Sequence, residues 1–184
     1  MYLASRRKRI FDITGCFVSL FIFGPPAALI AFLIFADERK KILFRQERIG
    51  LNEKTFLIYK FRTMTDGKVT RVGRWLRKTG LDELPQYWNV IKGDLSIVGT
   101  RPLTNYDIER LKWRNHKFRW EMKPGLTGLA QIRAGTSAMH SLSADQEYFQ
   151  TASLRRDCMI IGVSFLMNVF GKQRVRSAGR WLGI

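Results

Sequence analysis

Apolar and polar positions divide the chain into stretches of different period. Residues 13–36, ITGCFVSLFIFGPPAALIAFLIFA, carry no charge, and a helix needs about 20 such residues to cross a hydrocarbon core. Next, KILFRQERIG and TFLIYKFRTM alternate around Gly50-Leu51-Asn52-Glu53, which predicts two antiparallel strands. In the second strand Leu57, Tyr59 and Phe61 share one face, while Phe56, Ile58 and Lys60 share the other. Lys60 and Arg62 are expected to leave from that second face together, with solvated strand charges as the plainer alternative. Beyond the turn Asp66-Gly67, RVGRWLRK reads as a short basic segment, and QYWNVIK as a short helix stopped by Gly93. Residues 105–123 look like one helix with Trp and Phe among basic residues, suited to anionic headgroups or to an ordinary protein surface. LTGLAQI reads as extended, and CMIIGVSFLMNVF is too short to span. The sum is an α/β chain: a small mixed domain with a β-hairpin, an N-terminal membrane helix and interfacial amphipathic helices. Its expected boundaries are 1–40 for the anchor, 41–170 for the main domain and 171–184 for a basic tail.

Two details shape the expectation for the anchor. Gly24, Pro25 and Pro26 fall near the middle of the apolar run, where paired prolines remove helix hydrogen bonds and predict a kink or break. Both flanks are basic, Arg6 to Arg9 before and Arg39 to Lys41 after, and Lys and Arg favour the cytoplasmic side. A helix that enters, turns at 24–26 and leaves by the same face satisfies both clusters. A kinked through-span is the alternative, leaving one cluster on the wrong side.

Composition narrows the partners. The chain has 184 residues, a net charge of +17 and a pI near 10.6, so its partners are anionic: nucleic acid, lipid headgroups or phosphorylated substrates. With thirteen Phe and five Trp, that charge fits a membrane interface at least as well as nucleic acid. Cys16 and Cys158 have no metal-ligand spacing and read as inert thiols. His116 and His140 are too isolated to build a zinc or serine–histidine site.

Against this basic background, Asp82 and Glu83 stand adjacent in RKTGLDELPQYWNVIKGDLSIVGTRP. Pro85 suits a first helical turn, which puts Asp82 at a helix start where N–H groups and the macrodipole favour an ionised carboxylate. Lys60, Arg62, Arg77 and Arg101 are expected to ring it, an arrangement that fits a phosphate-bearing substrate. A capping Asp with a solvated Glu is the plainer reading.

FRQERIG, FLIYKFRTM, LDELPQYWNVIKGDLSIVGTRP and PGLTGLAQI together resemble the monotopic phosphoglycosyl transferases, the bacterial sugar transferase family. The resemblance implies transfer of a phosphosugar from a nucleotide diphosphosugar, UDP-linked by expectation, to polyprenol phosphate, with release of the nucleoside monophosphate. It implies Asp82 as the nucleophile, work with Mg²⁺, Arg77 and Arg101 on phosphate, and a re-entrant anchor on the cytoplasmic face of the bacterial inner membrane. Asp82 and Glu83 are the candidate metal ligands, with Glu83 alternatively the base that deprotonates the acceptor phosphate. Gln131, in the PGLTGLAQI segment, joins Lys60 and Arg62 as a candidate substrate contact. The chain departs from the family pattern at Thr100 in GTRP, in the short 64–73 segment, and after Ile132. There a basic residue is replaced in register by Gly135, so Arg133 is the expected substitute. The rival reading is a membrane-anchored nucleic-acid-binding protein, which tight binding of single-stranded DNA at physiological salt would favour.

Overall fold

The computed structural model describes residues 2–38, 41–133, 138–171 and 175. Helix α1 spans Arg6–Glu38 and is followed by the hairpin β1, Leu43–Ile49, and β2, Thr55–Phe61. A two-residue hairpin, β3 Met64–Thr65 and β4 Lys68–Val69, leads into α2, Arg71–Thr79. A 3-10 turn, Leu81–Gln86, runs straight into α3, Tyr87–Lys92, then β5, Ser96–Val98, and α4, Asn105–Leu111. After a second 3-10 turn, Lys117–Trp120, come β6 Gly125–Thr127, α5 Leu129–Arg133, α6 Ala138–Thr151 and α7 Leu154–Phe170.

The alternating pattern is realised as expected. β1 and β2 pair antiparallel from Leu43↔Phe61 to Ile49↔Thr55. Period two puts Arg48, Phe56, Ile58 and Lys60 on one face, and Ile58 is buried in the main core with Cys16, Val90, Leu95, Ile160 and Tyr148. The opposite face sends Phe61 into a smaller core with Leu76, Leu84, Ile30 and Ile34. Asn89 ties the hairpin to α3: its Nδ2 donates to Leu57 O at 2.7 Å and its Oδ1 accepts from Tyr59 N at 3.2 Å.

The parallel pair β5–β6 is held at very close backbone approach. A Cβ on Gly125 would collide with Gly99 N and stand 2.5 Å from Thr127 O, so only hydrogen fits. Gly125→Ala is expected to lower stability by about 2 kcal/mol or more, since backbone on both sides cannot yield. Gly162→Ala in α7, whose Cβ meets nothing within 4 Å, is expected to gain up to about 1 kcal/mol from helix propensity. Thermal midpoints of the two variants, measured side by side, check the contrast.

The anchor region differs from the expected break. α1 is helical throughout, with Pro25 and Pro26 inside it. Proline's φ near −65° is itself helical, so the pair need not end the helix; it removes two donors and frees the carbonyls of Phe21 and Ile22. Both halves of α1 nevertheless grip the domain. Cys16 is buried in the main core, and Ile30 and Ile34 in the smaller one. Between and around them Phe17, Val18, Phe21, Ile22, Leu29, Phe32 and Phe35 are exposed. Arg39 and Lys40 of the second basic flank lie outside the described residues, as does the tail apart from Gly171 and Val175.

The start of α1 is fixed by a buried charge cluster. Lys8 Nζ bonds Asp12 Oδ1 at 2.9 Å and Asp157 Oδ2 at 2.7 Å, with side chains 4% exposed or less. Tyr2 and Tyr148 donate their hydroxyls to the Asp157 carboxylate at 2.9 and 2.6 Å, and Ser96 Oγ donates to Asp12 Oδ2 at 2.8 Å. Burial, and then the Asp157 charge, push the Tyr148 phenol well above its ordinary value.

Residues 105–123 do not form the single amphipathic surface helix the pattern suggested. Thr104 opens α4 with a capping box to Asp107, and Lys112, in the left-handed region at φ 57°, closes it after Leu111. Trp113 and Trp120 then turn inward to join Leu103, Ile108 and Leu142 in a third core. Arg119 is buried too, paired with Asp145 of α6.

Candidate active site

Asp82 sits where two helical segments meet. Gly80 closes α2 with φ 74°, a conformation that suits glycine, and the next residue starts the 3-10 turn that holds Asp82 and Glu83 in its first turn. The dyad faces a cavity of about 400 Å³. Lys60 and Ile58 of β2 and Arg48 of β1 form one wall. The end of α2 supplies Arg77 and Lys78, and the loop after β5 supplies Arg101 and Pro102. Gly125, Leu126 and Thr127 with Gln131 close another side, and Ser164, Met167 and Asn168 of α7 the last.

Cations outnumber the carboxylates in this cavity. Lys60 Nζ donates to Glu83 Oε1 at 2.5 Å. Arg77 is oriented through its Nε, which donates to Thr63 Oγ1 at 2.8 Å. The Arg101 loop is held by two other guanidinium groups. Arg119 Nη2 donates to Arg101 O at 3.0 Å, and Arg48 Nη1 to Pro102 O at 3.2 Å. Arg119 is in turn fixed by Asp145, whose carboxyl burial pushes up to about 6 against the pull of that same guanidinium. Burial likewise lowers Arg48, with Asp107 opposing and Arg101 reinforcing the shift.

Asp82 departs from the electrostatic expectation. Its carboxyl is raised above the ordinary range, by burial first and by the adjacent Glu83 charge second; Lys60, its own backbone N–H and Arg77 pull the other way and lose. Desolvation outweighs the cations, and Lys60 is itself paired with Glu83. A buried, incompletely neutralised carboxylate is less masked than a paired one, which suits a nucleophile.

Six of the expected residues meet at the cavity: Lys60, Arg77, Asp82, Glu83, Arg101 and Gln131. Two do not. Arg62 follows the last residue of β2, and its Nε donates to Lys41 O at 2.8 Å, outside the cavity. Arg133 pairs with Glu147 of α6, which also pairs with Arg156, so it cannot replace the missing basic residue; Gly135 itself lies outside the described residues. The cavity also holds Arg48, Lys78 and Gln86, which the sequence reading did not place there. Arg48 was available from the alternation, since it shares a strand face with Ile58 and Lys60. Gln86 lies one helical turn after Asp82 and is 2% exposed. Its Nε2 has no hydrogen-bond partner among the described residues, a signal that only packing reveals.

Among the described residues no group of three or more metal-binding side chains occurs. The dyad alone can still accept Mg²⁺, which is commonly held by one or two carboxylates with substrate phosphates completing the shell. Lys60 occupies Glu83 Oε1 and leaves Oε2 free of that bond, so the donor set fits.

Known proteins are similar to this chain in sequence. The family model described as "Bacterial sugar transferase" matches residues 3–171. A UDP-glucose:undecaprenyl-phosphate glucose-1-phosphate transferase of Caulobacter vibrioides is 38% identical over 178 residues, covering 84% of this chain and 67% of that protein. An undecaprenyl-phosphate glucose phosphotransferase of Komagataeibacter xylinus is 32% identical over 192 residues, covering 90% of this chain but 36% of that protein. An uncharacterized sugar transferase of Bacillus subtilis is 42% identical over 140 residues, covering 68% of this chain and 67% of that protein. The chain thus spans about two thirds of two of these relatives and about a third of the other.

Proposed function

Because this chain is an enzyme of the bacterial sugar transferase family, we propose that it moves a phosphosugar from a UDP-sugar to a polyprenol phosphate by way of Asp82. The observation that carries this reading is a half-buried carboxylate with a raised pKa, standing in a cavity whose other charges are mostly cations. In the first step an Asp82 carboxylate oxygen attacks the phosphorus bearing the sugar. A P–O bond forms to Asp82, the bond to the nucleoside phosphate breaks, and the nucleoside monophosphate leaves with the electron pair. In the second step a polyprenol phosphate oxygen attacks the same phosphorus and returns Asp82 as a free carboxylate. Asp82 and Glu83 would hold Mg²⁺, which, when bound, neutralises charge on phosphate oxygens. Arg77 and Arg101 bind the non-bridging oxygens as charge spreads over them. Lys60 holds Glu83 in place, either for that metal or to take a proton from the acceptor phosphate.

The anchor fits a two-phase reaction. One substrate is water-soluble and the other resides in lipid, so the cavity belongs at the interface. In our reading α1 is a re-entrant helix bent near Pro25 and Pro26, holding a monotopic enzyme on the cytoplasmic face. Its two contacts with the domain, at Cys16 and at Ile30 and Ile34, support this, since a straight through-span would carry its far half away from the domain.

Incubation with UDP-sugars, Mg²⁺ and polyprenol phosphate should release UMP, and quenching early should leave a phosphosugar mass on the peptide containing Asp82. Turnover without any such adduct would overturn the covalent route. Arginine roles separate in the same assay. Arg101→Met is expected to reduce kcat/KM about a hundredfold, from loss of one well-placed phosphate donor. Arg133→Met, whose partner is Glu147, is expected to stay within about twofold.

A further inference from the structure

A second cavity, of about 390 Å³, lies at the start of α1 and shares no lining residue with the Asp82 site. Ser5, Arg6, Arg9, Leu51, Met122 and Lys123 are among the residues that line it. Two cations converge there. A Cβ placed on Gly93 would stand 3.5 Å from Lys123 Nζ and 3.6 Å from Arg9 Nη2. Arg9 commits two of its five N–H donors to the last carbonyls of α3, Val90 O at 2.6 Å and Ile91 O at 2.7 Å, which orient it without cancelling its charge. Lys123 has no ion pair among the described residues, and burial, then Arg9, push its ammonium below the ordinary value.

The nearby acids are mostly committed elsewhere. Asp12 is bonded to Lys8 and Ser96, and Asp94 to Lys92 at 3.2 Å. Glu121 is the remaining carboxylate on the lining, against Arg6, Arg9 and Lys123. The cavity therefore keeps a positive excess that an anion would relieve. Its position identifies which anion. Arg9 stands one turn before the uncharged run that begins at Ile13, and Ile10, Phe17 and Val18 give α1 an exposed apolar face suited to lipid. Leu3, Leu51 and Met122 add an apolar wall beside the cations.

We propose that this cavity is a phospholipid site, in which Arg6, Arg9 and Lys123 bind the phosphate of an anionic headgroup while Leu51 and Met122 cover the glycerol and first methylenes. The proposal rests on the membrane-anchoring part of the function above and not on the chemistry at Asp82.

Native mass spectrometry of the full chain in zwitterionic detergent, with phosphatidylglycerol or phosphatidylcholine added, tests it. The first retained lipid should favour phosphatidylglycerol by about tenfold, and Lys123→Met and Arg6→Gln should each bring that ratio close to one, as loss of a close charge contact predicts. Lys117→Met removes the same charge from an exposed site outside the cavity and should leave the ratio unchanged. If Lys117→Met lowers it as much as Lys123→Met, the preference is general surface attraction and the site is overturned. Inorganic phosphate that displaces the retained lipid at equal concentration would overturn the lipid assignment in favour of a soluble anion. UMP release by Lys123→Met, measured alongside, keeps the two claims apart, since it should persist whether or not the lipid site exists.

Discussion

Asp82→Asn is expected to reduce turnover by at least about a thousandfold, because an amide oxygen is a poor nucleophile and the covalent step has no substitute group. The fold should survive. Lys60 bonds Glu83, so removing the Asp82 charge orphans no buried cation, and burial already disfavours that charge. Initial rates of UMP release together with a thermal midpoint check both halves; more than a tenth of wild-type activity would exclude Asp82 as the attacking group. The pH profile carries the same signature. Asp82 must be ionised to attack and its pKa is raised, so kcat/KM should fall on the acid side at a pH above the ordinary carboxylate range. Glu83→Gln removes the like charge and frees Lys60 to approach Asp82, so whatever activity remains should lose its acid limb at lower pH than wild type.

Lys8→Met is expected to be the most destabilising single change near α1. One ammonium neutralises two carboxylates, Asp12 and Asp157, and Asp157 is fully buried. Taking the cation away leaves two buried negative charges facing each other, and breaking a buried pair in this way costs about 3–5 kcal/mol. Protonation would relieve the stranded charges, so the loss should be largest at neutral pH and shrink in acid. Lys8→Met combined with Asp157→Asn should recover part of the stability. Denaturant midpoints in detergent micelles at two pH values measure this. Equal midpoints for wild type and Lys8→Met would mean that the cluster contributes nothing to stability.

The readable parts of this chain are those whose signal is local. The hairpin is legible because period-two alternation and its turn are contained within 43–61, and the acidic dyad because Pro85 marks a helix start in sequence. Interactions between distant residues were not legible. Arg133 looked free because Glu147 is fourteen residues away along the chain, although the two are paired in space. Arg119 looked like surface charge because its partner, Asp145, belongs to another helix. The 105–123 pattern was misread for a backbone reason, since nothing about Lys112 as a residue type announces a left-handed helix stop. Gln86 is the clearest case: its amide matters because packing isolates it, and packing has no signature in one sequence.

The two-point grip of α1 bears on how this enzyme can be handled in water. Trimming the first forty residues would not liberate a soluble catalyst, because Cys16, Ile30 and Ile34 fill holes in two cores and Lys8 would leave with them. A better route keeps those inward positions and repaints the outward ones. Polar replacements at Phe17, Phe21, Phe32 and Phe35, all exposed, would dull the helix toward lipid while leaving its hold on the domain intact.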